Sequence, residues 1–415
     1  MNLIYLDHNA TTPMLPAVLE AMQPYLIECY GNPASAHQAG RRGRQALEDA
    51  REQIASILGA YPDEVIFTSG GTEANNLAIF GVAGELRALT EPSSPGHIIT
   101  SPIEHPSVAE PILQLEKQGF IVDRLPVNGE GVVEIDDGRV RDILAKSLRA
   151  LTQPGSPKET RSPIALVSVM LVNNEVGSIQ PIAELVQLLE GWAPFHCDAV
   201  QAAGRMPVHF HDLGVTTMSI SAHKFHGPKG IGALLARRNA KLHPRLFGGH
   251  QQQGRRPGTE PVALAVGMAA ALDLWQQEAH VRTEKVYSLR QRFLQELERT
   301  ASPVILNGPR EGGLPHTLNV SFPGCQADSL LMNLDLAGVA CSTGSACSSG
   351  SLLPSPVLKA MEVKEDVLRS AMRFSLSPFL TKSQITEAAD RISSVVRRLR
   401  QVPIGSFAAG SAGRV

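Results

Sequence analysis

No apolar run in this 415-residue chain is long enough to cross a bilayer; the longest, such as "IALVSVMLV" at 164–172, fall far short. No sign of charge dominates: the net charge is −2, which argues against nucleic acid or an anionic membrane as the main partner. Cysteine is scarce. Cys29, Cys197, Cys325, Cys341 and Cys347 are odd in number and lack metal-ligand spacing, which excludes a disulfide framework and a zinc site. Free thiols fit a reducing cytoplasm. The opening "MNLIYLDHNATT" reads as a strand and turn, with no basic-then-apolar export signal and no Arg-rich presequence, so a cytoplasmic protein is expected. What is present is an ordinary globular balance, 43% hydrophobic and 19% charged, in a chain long enough for two domains.

The middle of the chain alternates strands with helices. "EVIFTS" (64–69), "HIITS" (97–101), "IALVSVMLV", "FHC" (195–197), "TMSIS" and "IGALLA" read as strands. "GGTEANNLAIFGVA" turns into a helix, "SVAEPILQLEKQG" (107–119) is a helix opened by a Ser107/Glu110 capping box, and another helix lies near 182–190. Such alternation predicts an α/β fold with a mainly parallel sheet sandwiched by helices. Ligands of such sheets bind beyond the strand C-termini. Thr72, His105, Asn174, Asp198 and Lys224 all fall there. After about residue 262 the texture changes to a helix beginning "VALAVGMAAALDLWQQ", a second helix around 284–299, short strands at 316–322, 338–341 and 372–376, and a last helix near 382–400. This predicts a smaller α+β domain. The expected division is 16–261 for the large domain, 1–15 with 262–403 for the small one, and 404–415 as a flexible tail. "TQPGSPKETRSP" (152–163) reads as a surface loop.

Lys224, in "SISAHKFHGPKGIGALL", ends a buried strand, where lysine either snorkels to water or is kept for chemistry. Each of its companions has an ordinary reading. The "TSGGTEANN" turn is a helix start that also offers bare amides and the Thr72 hydroxyl to a phosphate. His105 is a structural histidine or a ring that stacks on a flat cofactor. Asp198, in "CDAVQAAG", is a helix cap or a carboxylate held against a cationic ring nitrogen, with Gln201 close by. A lysine that forms a Schiff base with pyridoxal phosphate (PLP) needs all of these at once: a phosphate cradle, an acidic partner and a ring cover. Their occurrence in this order on successive strand ends points to that cofactor.

Here the chain resembles the cysteine desulfurases of the NifS/IscS type, class V aminotransferases among the fold-type I PLP enzymes. The likeness spans about residues 3–400 and rests on "YLDHNATTP", "TSGGTEANN", "EHPSV", "NNEVGSIQP", "CDAVQAAG", "SAHKFHGPKGIG", "GRRPGTEP", "STGSACSSGS" and "MRFSLS". The resemblance implies that Lys224 bonds to PLP, Asp198 pairs with its pyridinium and Gln201 with its phenolic oxygen. His105 stacks on the ring and helps in proton transfers. Gly71, Thr72, Ser221 and His223 hold the phosphate, and Thr259 reaches the phosphate of a neighbouring subunit in a homodimer. Asn174 and Arg373 bind the carboxylate of L-cysteine, a role guanidinium suits because it pairs bidentately with carboxylate. Cys347, in the loop at about 324–356, accepts the sulfur as a persulfide and passes it to an acceptor protein of unknown identity, for iron–sulfur clusters, thiolated tRNA or thio-cofactors. No metal, nucleic acid or membrane is implied. A selenocysteine lyase, or another PLP-dependent lyase or aminotransferase of the same fold, would share Lys224 and Asp198. Two departures stand out: the ending "IGSFAAGSAGRV" does not resemble the family's scaffold-docking segment, and 152–163 looks inserted.

Overall fold

The computed structural model describes residues 2–89, 96–143, 145, 164–189, 191, 193–344 and 354–401. Cys347, the 152–163 segment and the 404–415 tail lie outside these residues. The strands are β1 (Ile4–Tyr5), β2 (Val65–Thr68), β3 (His97–Thr100), β4 (Ile121–Arg124), β5 (Ile164–Ser168), β6 (Phe195–Asp198), β7 (Thr217–Ser221), β8 (Gly232–Ala236), β9 (Ile305–Asn307), β10 (Thr317–Ser321), β11 (Val339–Ala340) and β12 (Ala371–Ser375).

Seven of them form one sheet in the order β2-β8-β7-β6-β5-β3-β4. Only β8 runs against its neighbours; the other pairings are parallel. The central strands are buried on both faces, so most of their residues are apolar, although β7 buries Thr217, Ser219 and Ser221 as well. The pleat nonetheless sorts them. Phe67, Ile99, Val167 and Leu235 face a core shared with Leu47 and Ile54 of the Gln38–Ile57 helix. Their neighbours Ile66, Ile98, Leu166 and Leu234 face the other way, toward the Gly71–Leu89 and Pro106–Lys117 helices.

A three-stranded antiparallel sheet, β12-β10-β9, and the parallel pair β1–β11 surround a further core that includes Ile4, Leu6, Phe293, Phe322 and Phe374. The sequence predicts two helices between residues 262 and 299; there is one, Val262–Thr300, of 39 residues. Its first turns pack Met268 and Leu272 in the large core, and its last turns pack Phe293 and Leu297 in the other. The second correction is local. The Pro106–Lys117 helix is capped by His105, whose ring accepts from the Ser107 amide, and not by a Ser107/Glu110 box. Proline at the first helical position explains the shift by two residues, since its missing N–H costs nothing there.

Candidate active site

Because β8 alone is reversed, the C-terminal ends of β2, β7, β6, β5 and β3 open on the same sheet edge. The Gly70–Gly71 turn follows β2, Lys224 follows β7, Asp198 ends β6, Asn174 follows β5 and His105 follows β3. The turn can lie against β8 because residue 232 is glycine: a Cβ there would come within 2.7 Å of the Gly70 carbonyl carbon. Ser221 ends β7 beside this turn. Its hydroxyl is buried and has no hydrogen-bond partner among the described residues. A buried orphan hydroxyl next to the N-terminus of a 19-residue helix fits an anionic ligand such as a phosphate.

Lys224 does not snorkel. Its Nζ donates to the carbonyls of Asn9, at 2.5 Å, and Ala10, at 3.0 Å. Lys229, directly after the Gly227-Pro228 turn, is exposed. Asn9 is the hub that sequence reasoning passed over. Its carbonyl also accepts from Gln201 Nε2, its Oδ1 from Arg205, and its Nδ2 donates to the Asn174 carbonyl and to Thr317. The "LDHNATT" stretch thus threads between the two sheets and ties Lys224, Gln201 and Asn174 together. Its signal was the run of small polar residues after a two-residue strand, too short to carry a periodicity.

Asp198 is buried. One carboxylate oxygen accepts from the Val200 amide and the other from Asn75 Nδ2, at 2.8 Å. His105 faces an open cleft of about 660 Å³ that Thr72, Asn76 and Ser107 also line; that volume suits a small flat ligand. Burial lowers the pKa of His105, the charges of Lys224 and Arg373 lower it further, and Asp198 opposes them. Arg373, in the middle of β12, is 3% exposed. Nη2 pairs with Asp7 at 2.8 Å, Nη1 donates to the Asn174 carbonyl, and Nε has no partner. A buried guanidinium with an orphan N–H suits a small carboxylate. His223 Nδ1 lies 3.1 Å from Thr11 Oγ1, and Thr72 is exposed at the helix start.

Thr259 is exposed, and no hydrogen bond among the described residues ties it to this group. Its own segment is anchored within the chain. Gln252 Oε1 accepts from the Phe67 amide and from Arg51, both at 3.0 Å.

Behind Lys224 lie three buried histidines, His8, His226 and His316, close to Arg205. Burial pushes His8 down to about 3 and His226 to about 4, and it also depresses His316. His196, under Asn75, is pushed to about 4 by the same cause. A histidine held neutral when native contributes stability that is complete above its unfolded pKa of 6.5 and is lost as pH falls toward the folded value. Burial raises Glu104, to about 8, and Glu175, which act in the opposite sense. His223 is pushed to about 4 and His105 is lowered by burial as well, so the histidines held down outnumber the two carboxyls held up, and the net effect is a loss of stability as pH falls below about 6.5. Denaturant midpoints measured at pH 7 and pH 5 should therefore fall markedly; equal midpoints would refute this account.

The family model for aminotransferase class-V matches residues 4–387. The cysteine desulfurase IscS of Dictyoglomus turgidum is 46% identical over 400 residues, covering 96% of either chain. Among solved structures, a NifS-like protein superposes with a TM-score of 0.83 at 33% identity, over 95% of this chain and 100% of its own. A structure described as SspA in complex with cysteine gives 0.74 at 33% identity, over 91% of this chain and 99% of its own.

Proposed function

Because the chain belongs to the class-V aminotransferase family, and within it to the cysteine desulfurases of the NifS and IscS type, we propose that it removes sulfur from L-cysteine with PLP held at Lys224. The products are L-alanine and a persulfide on Cys347. The observation that carries this reading is the pair of orphaned buried groups flanking Lys224: Ser221 Oγ beside the Gly70–Gly71 turn, and Arg373 Nε beside Asn174.

The residues present fit the cofactor. Gly71, Thr72, Ser221 and His223 would hold its phosphate, Asp198 its ring nitrogen and Gln201 its phenolic oxygen, with His105 across the ring face. Bound there, PLP supplies an electron sink for bond cleavage at the substrate's carbons. The chain does the rest. Arg373 and Asn174 hold the substrate carboxylate, with Asp7 keeping the guanidinium oriented through its 2.8 Å ion pair. Lys224 Nζ is the base for the Cα proton and His105 assists transfers near the sulfur. The Cys347 thiolate attacks the substrate sulfur: the S–S bond forms as the C–S bond breaks, its electron pair stays on the carbon, and a proton completes the methyl group of alanine.

Residues 16–261 would act as the cofactor-binding lobe, and 1–15 with 262–403 as the lobe that brings Arg373 and Cys347. Thr259, exposed on its own chain, would complete the phosphate site of a second copy, making the enzyme a homodimer. No helix among the described residues is long and apolar enough to cross a membrane; a cytoplasmic enzyme passing sulfur to an acceptor protein fits that.

Incubating the purified chain with L-cysteine and a small dithiol should release alanine and sulfide in equal amounts, from a yellow protein. A keto acid in place of alanine would identify an aminotransferase, and a colourless, inert protein would overturn the reading.

A further inference from the structure

Asn75 lies in the first turns of the Gly71–Leu89 helix and is fully buried, with no exposed surface. An amide offers two donors and two acceptor sites, and here all four are used. Nδ2 donates to Asp198 Oδ2 and to Ser107 Oγ, each at 2.8 Å. Oδ1 accepts from His196 Nε2 at 3.0 Å and from Ser219 Oγ. The amide cannot turn over, because its oxygen would then face the Asp198 carboxylate, acceptor against acceptor.

That orientation reaches His105 through Ser107. Ser107 Oγ already accepts from Asn75, so its own proton is free to be donated, and His105 Nδ1 lies 2.8 Å from it. The Ser107 amide donates to the same nitrogen, at 3.1 Å. Two donors thus converge on Nδ1, which leaves no room for a proton there. We propose that Asn75 is a positioning residue: acting through Ser107, it keeps the His105 proton on Nε2 and couples the histidine to Asp198. His105 would then offer a proton, rather than a lone pair, from its other nitrogen. The significance of this rests on the assignment of His105 to proton transfer; the hydrogen-bond chain itself does not.

The groups that act on the His105 ring are Asp198, which favours its protonation, and Lys224 and Arg373, which oppose it. Glu104, next to it in sequence, is itself held protonated by burial, with a pKa of about 8, and so adds no charge at neutral pH. Losing Asn75 would remove the donor that keeps the Ser107 hydroxyl turned with its proton toward Nδ1; the hydroxyl could then rotate away, one of the two bonds that favour an unprotonated Nδ1 would weaken, and protonation of the ring would be favoured.

Nitrogen NMR of the full-length, cofactor-loaded protein labelled in histidine tests this. In the wild type, between pH 6 and 8, Nδ1 of His105 should give the shift of a bare ring nitrogen and Nε2 that of a protonated one. Asn75→Ala should raise the His105 titration midpoint by about one pH unit, a roughly tenfold gain in proton affinity. Ser107→Ala, which leaves the Asn75–Asp198 bond intact, should raise it similarly, and it decides the question if Asn75→Ala folds poorly. A wild-type proton on Nδ1, or unchanged midpoints in the folded variants, overturns the proposal. Turnover by His105→Ala is read separately: wild-type alanine release there would overturn the role of His105 and leave the tautomer result standing.

Discussion

Lys224→Ala should lose alanine production by at least about 10³-fold, because in the proposed mechanism one side chain supplies both the covalent hold on the cofactor and the base at Cα. The fold should survive. Nζ donates to the Asn9 and Ala10 carbonyls, and the Asn9 carbonyl keeps its bond from Gln201. A cost of about 1–2 kcal/mol is expected for hydrogen bonds of this kind. The phosphate cradle is untouched, so the variant should still bind PLP, without covalent attachment and with an altered visible spectrum. Borohydride treatment of the wild type should fix the cofactor to the peptide that contains Lys224. Lys229 makes a clean control, being exposed and outside the site. Cofactor recovered on the Lys229 peptide, or a Lys224→Ala enzyme with near-normal turnover, would sink the assignment.

The site was legible where chemistry and topology coincide. Asp198 ends β6 and Ser221 ends β7 because a parallel sheet points its strand ends at one edge, and the apolar runs before them marked those strands. Asn75 was not legible as a functional residue. It stands in a helix start whose composition suits an ordinary cap, and only the fold brings Ser107, Asp198, His196 and Ser219 around its amide. The Val262–Thr300 helix was misread for a related reason. Its middle, "QQEAHVRTE", has no apolar stripe because it spans the gap between two cores. The helix continues there on its own ladder, with the pairs Arg282–Glu278 at 2.9 Å and His280–Glu284 at 3.5 Å on its surface. Periodicity reports burial, and a helix that crosses between cores loses the signal without losing the helix. The His105 cap was readable in principle: Pro106 marks the first helical position and so places the cap one residue earlier.

Cys347→Ala should stop sulfur transfer while leaving substrate binding in place. Lys224, His105, Asp198 and Arg373 all lie on elements separate from the segment that carries Cys347. The chain on either side of that segment returns to a single group. Gly344 has φ +86°, and a Cβ on it would come 2.6 Å from Glu175 Oε2; the same oxygen accepts from Ser355 Oγ at 2.6 Å. Glu175 directly follows Asn174, and Ser342 exchanges backbone hydrogen bonds with Arg373, so this anchor adjoins the proposed carboxylate site. Cys341 is a poor substitute: burial and the Asp7 carboxylate push its thiol pKa well up, away from the thiolate form that attacks sulfur. The variant should therefore change the cofactor spectrum on adding L-cysteine, yet release alanine at least about 10³-fold more slowly. Cys341→Ala should keep most of its activity. Mass spectrometry after a pulse of L-cysteine should find one extra sulfur on the Cys347 peptide of the wild type. An extra sulfur on the Cys341 peptide, or a Cys347→Ala enzyme that still makes alanine at the wild-type rate, would assign the nucleophile elsewhere.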